Sequence, residues 1–335
     1  MIAQTSLFRT LSRHAGAHTV FALCVLAVCV LVPAAPAGAA DGSWRSARPM
    51  ETARSNSGSA VHKGEIYVAG GASVLGARDV FEVFDPFSEI WRPLPALPEG
   101  REQFGMATLG DRVYIAGGYG KDSLAPRADL WMYDVPSGRW LTGPSLPDAR
   151  AGHSMVAAGG KLYVLGGLAA GAAPRSAPVF AFDPRTSNWS AMPWQLPQPR
   201  GDAATVTDGG RFIYVLGGRS GKGPIARVDR LDLDSGTWER LADMPRARSG
   251  HTAALIDGRI HVTGGVAAEA FKTYADHDVF DLRLGRWTQA APLPTPRHGL
   301  VSAAIGESWY VIGGGSGAGF FTVFTEADAV EVFEP

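Results

Sequence analysis

The chain is poor in cysteine, having only Cys24 and Cys29 among 335 residues, and both lie in its first 40. Any form lacking those residues has no disulfide, no thiolate zinc site and no cysteine nucleophile. Charge is also sparse. Asp, Glu, Lys and Arg make up 19% of the chain and nearly cancel to a formal −1, which gives no whole-molecule attraction to nucleic acid or an acidic membrane. Several catalytic signatures are missing: there is no P-loop, no His-Glu-x-x-His and no nucleophile-elbow serine. What the chain does have is a 46% hydrophobic content, enough for a large core, with 42 glycines and 23 prolines that punctuate it into short elements.

The first 40 residues differ from the rest. Arg9 and Arg13 precede an uncharged apolar run at 19–32, then a small-residue stretch at 33–40. This order predicts a secretory signal peptide over 1–40, cleaved after Ala39 or Ala40, with a retained membrane anchor as the alternative. The apolar run is shorter than the roughly 20 residues a membrane span needs. Cleavage would move the formal charge to −3 and place the product outside the cell or in the periplasm.

The remainder, 41–335, is one repeat read six times. Tryptophans recur at 44, 91, 140, 189, 238 and 287, at intervals of 47, 49, 49, 49 and 49. Glycine pairs recur at 70–71, 117–118, 166–167, 217–218, 264–265 and 313–314. An aspartate stands six residues before five of the tryptophans, and an arginine follows each: Arg54, Arg101, Arg150, Arg200, Arg248 and Arg297. Each unit divides into four short strands. A small apolar strand leads through a glycine turn to a large-residue strand ending at the glycine pair. A third strand ends at the aspartate and a fourth starts at the tryptophan. Such a sheet cannot bury both faces alone, but stacking copies around an axis does so. The expected fold is all-β, a six-bladed β-propeller with units at about 52–98, 99–147, 148–197, 198–245, 246–294, and 295–335 plus 41–50. The last unit is composite: the chain ends on a third strand and begins on a fourth, so the N-terminal strand closes the ring.

The glycine pair after an apolar strand, the aromatic-Asp element such as Tyr133-Asp134 and the tryptophan six residues on resemble the Kelch repeat. The resemblance covers 41–335. Kelch propellers include protein-binding modules, copper-dependent sugar oxidases and sugar mutarotases, so the resemblance implies a fold more firmly than an activity. The oxidase cofactor needs a cysteine that 41–335 does not have.

The long, varied loops fall on one face of the propeller, which predicts the site there. That face gathers the six repeat arginines with Arg78, Lys121, Arg127, Arg175, Arg219, Lys222, Arg227 and Lys272. The arginine ring has two readings: architecture bonded to loop carbonyls and neighbouring acids, or an anion trap. His153, His251 and His298 enter at related positions, either as hydrogen-bonded strand-start residues or as a set able to hold a metal. His62 and His261 sit in or near the hairpins and carry no evident role. Glu102 and Asp202, each just after a repeat arginine, are the candidate acids for sugar chemistry, or simply salt-bridge partners. No catalytic set is assembled in the sequence, and no cofactor or metal is implied. The expectation is therefore a monomeric, exported binding module for a protein or anionic glycan, with the arginines and histidines as ligand contacts. The alternative is a carbohydrate-active mutarotase or isomerase.

Overall fold

The computed structural model describes residues 42–121, 125–169, 174, 177–267, 272–317 and 325–335. The signal-peptide expectation and Arg175 lie outside these residues. Six four-stranded antiparallel sheets account for the described fold. In blade 1 the innermost strand Gly58–His62 pairs with Glu65–Ala69, which pairs with Phe81–Asp85, which pairs with the outer strand Ile90–Pro93. Four more sheets repeat this order. Blade 6 runs Val301–Ile305, Ser308–Ile312 and Val330–Glu334, and its outer strand is Ser43–Ala47 from the N-terminal end. No helix among the described residues is long and apolar enough to cross a membrane.

Both faces of each blade are covered, so the second strands read as continuous apolar runs. Ile66, Tyr67, Val68 and Ala69 are all buried although their side chains alternate in direction. Tyr67 packs toward blade 2 with Phe81, Trp131 and Tyr133. Ile66 and Val68 pack toward blade 6 with Tyr310, Ile312 and Val332. The core is thus six apolar clusters, one between each pair of neighbouring blades.

The repeated residues fasten these joints. The indole N–H of Trp91 donates to the Arg48 carbonyl (3.0 Å), Trp140 to Pro95 (2.9 Å), Trp189 to Pro144 (2.9 Å), Trp287 to Ala242 (3.0 Å) and Trp44 to Ala291 (2.7 Å), each reaching the preceding blade. The aspartates before the tryptophans accept turn N–H groups on the opposite face: Asp281 Oδ1 takes those of Arg283 and Leu284. The glycine pair is demanded by the next blade. At Gly70, with φ of 57°, an added Cβ would lie 2.3 Å from the Arg101 carbonyl oxygen. Gly71 N–H then donates to that same carbonyl (2.8 Å). The bond recurs at every joint, ending with Gly314 N–H to the Arg54 carbonyl (3.0 Å), which links blade 6 to blade 1. In five blades the pair lies just past the second strand; in blade 5 the strand Arg259–Val266 runs through it.

Candidate functional site

The six repeat arginines are between 0 and 3% exposed, so their guanidinium groups do not form a trap at the surface. Each is held within its own blade. Arg54 pairs with Glu82 (2.7 Å), Arg200 with Asp229 (2.8 Å), Arg248 with Asp278 (2.6 Å) and Arg297 with Glu331 (2.7 Å). These four acids occupy one repeat position, three residues before the end of the third strand. In blades 2 and 3 that position is Trp131 and Phe180, and the arginines lie over those rings, Arg101 at 4.2 Å and Arg150 at 4.8 Å from the centroid, with more exposed acids from other positions beside them: Glu99 and Asp129 at 3.2 Å from Arg101 and Asp148 at 3.5 Å from Arg150. Arg101 also bonds the Gly117 carbonyl and Arg150 the Gly166 carbonyl. Of the two readings of the arginine ring, this burial supports architecture: a buried guanidinium needs its partner, and each blade supplies an acid, with an aromatic face added in blades 2 and 3.

Three of the loop cations are likewise engaged. Arg127 pairs with Glu99, Arg219 with Asp202 and Arg227 with Asp229.

The three histidines are not brought to one point, and among the described residues no three His, Cys, Asp or Glu side chains group as a metal site. His153 is buried at the joint between blades 2 and 3, where its Nε2 accepts the Gly105 N–H (3.2 Å). His251 is buried against Gly217 at the joint between blades 4 and 5. Burial, together with the nearby Arg150 and Arg248 charges, lowers both imidazoles to a pKa of about 3, so they are neutral. Of the three, His298 lines the loop-side cavity, its Nδ1 against the Gly315 carbonyl at 2.9 Å, while His153 and His251 border the narrower space beneath it.

That cavity is a bowl of about 670 Å³ at the mouth of the central channel. Its polar lining includes Asn56, Glu102, Gln103, Asp202, Arg219, His298 and Glu326. Beneath it, a narrower neck of about 120 Å³ leads to an axial channel of about 530 Å³ walled by the innermost strands. The rim of the neck is a closed circle of peptide groups. Asn56 N–H donates to the Gly299 carbonyl, Gly299 to Gly250, Gly250 to Asp202, Asp202 to Gly152, Gly152 to Gln103 and Gln103 to Asn56, all at 2.7–3.0 Å. These six residues each stand two places after a repeat arginine, and their φ angles run from 51° to 62°.

Glu102 and Asp202 both reach the bowl. Burial raises the Glu102 carboxyl above the usual range, against one hydrogen bond from Asn56 Nδ2 (3.2 Å). Burial likewise raises Asp202, partly offset by Arg219 at 3.3 Å. Tyr119 pairs with Glu102 in a two-residue ladder. Its phenol is pushed up by burial first and then by the Asp202 charge. Asn56 and Gln103 escaped the sequence reading. Their signal was the register itself: two places after the arginine, three repeats carry glycine and three carry a polar side chain.

A profile for the KLHDC2/KLHL20/DRC7 Kelch-repeats domain matches residues 152–331, and the Kelch motif matches 53–98 and 100–147. The chain belongs to the Kelch-repeat family. Kelch-like protein terF of Aspergillus terreus is 30% identical over 242 residues, 67% of this chain and 52% of its own length. Kelch-like protein 40 of Xenopus tropicalis is 31% identical over 96 residues, 29% of this chain. The chain spans only 15% of that relative's length, so the match concerns the repeats alone. Among solved structures, "Structure of YjhT" superposes with a TM-score of 0.73 over 86% of this chain and 99% of that one, at 20% identity. That likeness is one of fold.

In this Kelch propeller the arginine–acid pairs make a direct prediction. Arg248→Met leaves Asp278, 1% exposed, without its cation, which costs about 3–5 kcal/mol. Arg150→Met removes the contact with the Phe180 face, carbonyl bonds and a longer pairing with Asp148 (3.5 Å), but that acid is a quarter exposed and keeps access to water, so the cost is about 1–2 kcal/mol. Urea melts of the two variants measure the difference, and equal losses would contradict the assigned partners.

Proposed function

We propose that this chain is an exported Kelch recognition module that holds a neutral carbohydrate in its loop-face bowl. The observation that carries this reading is the bowl's lining: two amides, three carboxyls, a guanidinium and an imidazole around about 670 Å³. Sugar hydroxyls are donors and acceptors at once, and planar polar groups engage them in pairs. The volume lies in the range of small-molecule sites, about 300–1,000 Å³. An anionic ligand fits less well, because Glu102, Asp202 and Glu326 outnumber Arg219 among the lining charges and the repeat arginines are buried. Export rests on the basic, apolar and small-residue order of the first 40 residues.

Isothermal calorimetry with methyl glycosides of glucose, galactose and mannose, alongside uronic acids, tests the reading. Binding of a neutral glycoside, weakened at least about tenfold by Asp202→Asn, is the expected result. Preference for the uronic acids, or capture of a polypeptide with no sugar bound, would replace the neutral-sugar reading.

A second reading has its own support: Glu102 and Asp202 both line the bowl, and burial raises both carboxyls, the direction that suits a general acid at a sugar ring. If the chain is a mutarotase, it accelerates anomer equilibration followed by NMR, and Glu102→Gln and Asp202→Asn each remove the acceleration. Equilibration at the uncatalysed rate with every sugar tested removes this reading and leaves binding.

A further inference from the structure

We infer that Asn56, Gln103 and Asp202 are the positions that read the sugar, placed around the neck by a backbone conformation that glycine would adopt more easily. The inference rests on the carbohydrate reading above. All six residues of the peptide circle are left-handed, with φ of 55° at Asn56, 51° at Gln103 and 52° at Asp202, and 57°, 62° and 59° at Gly152, Gly250 and Gly299. The circle uses only main-chain groups, so glycine completes it in blades 3, 5 and 6 as fully as the three polar residues do in blades 1, 2 and 4. A side chain at such a φ is strained. Asn and Asp tolerate it better than most, and Gln has no such allowance. Strained residues of this kind cluster at functional sites.

All three residues line both the neck and the bowl. Asn56 Oδ1 lies 2.5 Å from where a Cβ on Gly299 would stand, and Asp202 Oδ1 lies 2.4 Å from the same point on Gly152. Each therefore rests along the rim over the preceding blade's glycine, where a side chain in place of that glycine would have to push it aside. Blades 1 and 4 stand opposite in a six-membered ring, so Asn56 and Asp202 face each other across the neck with Gln103 beside Asn56. An amide on one side and a carboxyl on the other suit a ring bearing hydroxyls around its edge, which is the shape of a neutral pyranose.

Gln103→Gly and Gln103→Ala test this by melting temperature and by calorimetry with the three methyl glycosides. Gln103→Gly keeps the backbone circle and relieves the strain. It is expected to melt within about 2 °C of the wild type or above it, and to bind the best glycoside at least about tenfold more weakly. Gln103→Ala keeps the strain, so it melts below Gln103→Gly and binds equally weakly. If Gln103→Gly melts more than about 5 °C below the wild type, the side chain supports the fold and the inference fails. Wild-type affinity in both variants also overturns it, while the carbohydrate reading stands. Wild-type protein that binds none of the glycosides ends both, whatever the variants' melting temperatures.

Discussion

Deleting residues 42–50 is expected to unfold the whole propeller rather than fray one blade. Five residues, Ser43–Ala47, supply the outer strand of blade 6 and pair in full with Val330–Glu334. Trp44 from that strand closes an aromatic cluster, with ring centroids 5.3 Å from Phe333, 5.6 Å from His277 and 5.8 Å from Trp309. Met50 then enters the cluster between blades 6 and 1, and its N–H donates to the Asp328 carbonyl at 2.8 Å. Losing the buried Met50 side chain costs about 2–5 kcal/mol, and loss of the part-buried Trp44 and of the strand pairing adds to that. The sum is comparable to the whole stability of a typical domain, about 5–15 kcal/mol. The truncated chain should show either no cooperative melt or one more than about 15 °C lower. Moving residues 42–50 behind Pro335 through a short linker should restore the transition. A truncated chain that melts with the intact protein would contradict closure by this strand.

Acidification should also destabilise the protein strongly, beginning near pH 6. Four imidazoles are buried without an acidic partner. His153, His251 and His277 are lowered to about 3 and His261 to about 4, in each case first by burial. His261 and His277 lie side by side at 3.0 Å, so a proton on one opposes a proton on the other. The unfolded chain takes up these protons as the pH falls through about 6.5, whereas the folded chain takes them up only near 3–4. Between those values the unfolded state binds more protons. The stability from neutral burial is therefore complete above pH 6.5 and shrinks on acidification. At pH 4 this amounts to about 3 kcal/mol for each of the three lowest histidines. Glu102, Asp202 and Asp278, raised by burial, work in the opposite direction and offset part of the loss. Thermal melts from pH 7.5 to 4 should fall by more than about 15 °C. His251→Gln, uncharged throughout, should flatten the slope. A melting temperature level across that range would show that these imidazoles gain partners or water on protonation.

The scaffold was legible in the sequence because each blade repeats the same demands. Tryptophan, glycine pair and aspartate each perform one geometric task six times or nearly so, and a task repeated at a fixed spacing stands out without any neighbour being known. The closing strand was legible for the same reason, since Trp44 had no strand before it and Phe333 none after it. The site was not legible in that way. The arginines stayed open between architecture and an anion trap because their partners Glu82, Asp229, Asp278 and Glu331 are about 30 residues away in each repeat, and two blades place an aromatic ring at that position. His153 and His251 looked available because sequence does not show the next blade pressing on them. Glu102 and Asp202 were singled out, but the circle that gathers them with Asn56 and Gln103 is made of peptide groups, which leave no trace in side-chain pattern beyond glycine at three of its six places.

The claim that the loop-face bowl is where this propeller meets its ligand is tested most directly by mapping amide chemical shifts while the best-binding methyl glycoside is added. The account predicts shifts concentrated at Asn56, Glu102, Gln103, Asp202, Arg219 and His298, with the turns of the opposite face unchanged. Shifts confined to those turns or to the outer strands, with the bowl silent, would contradict it.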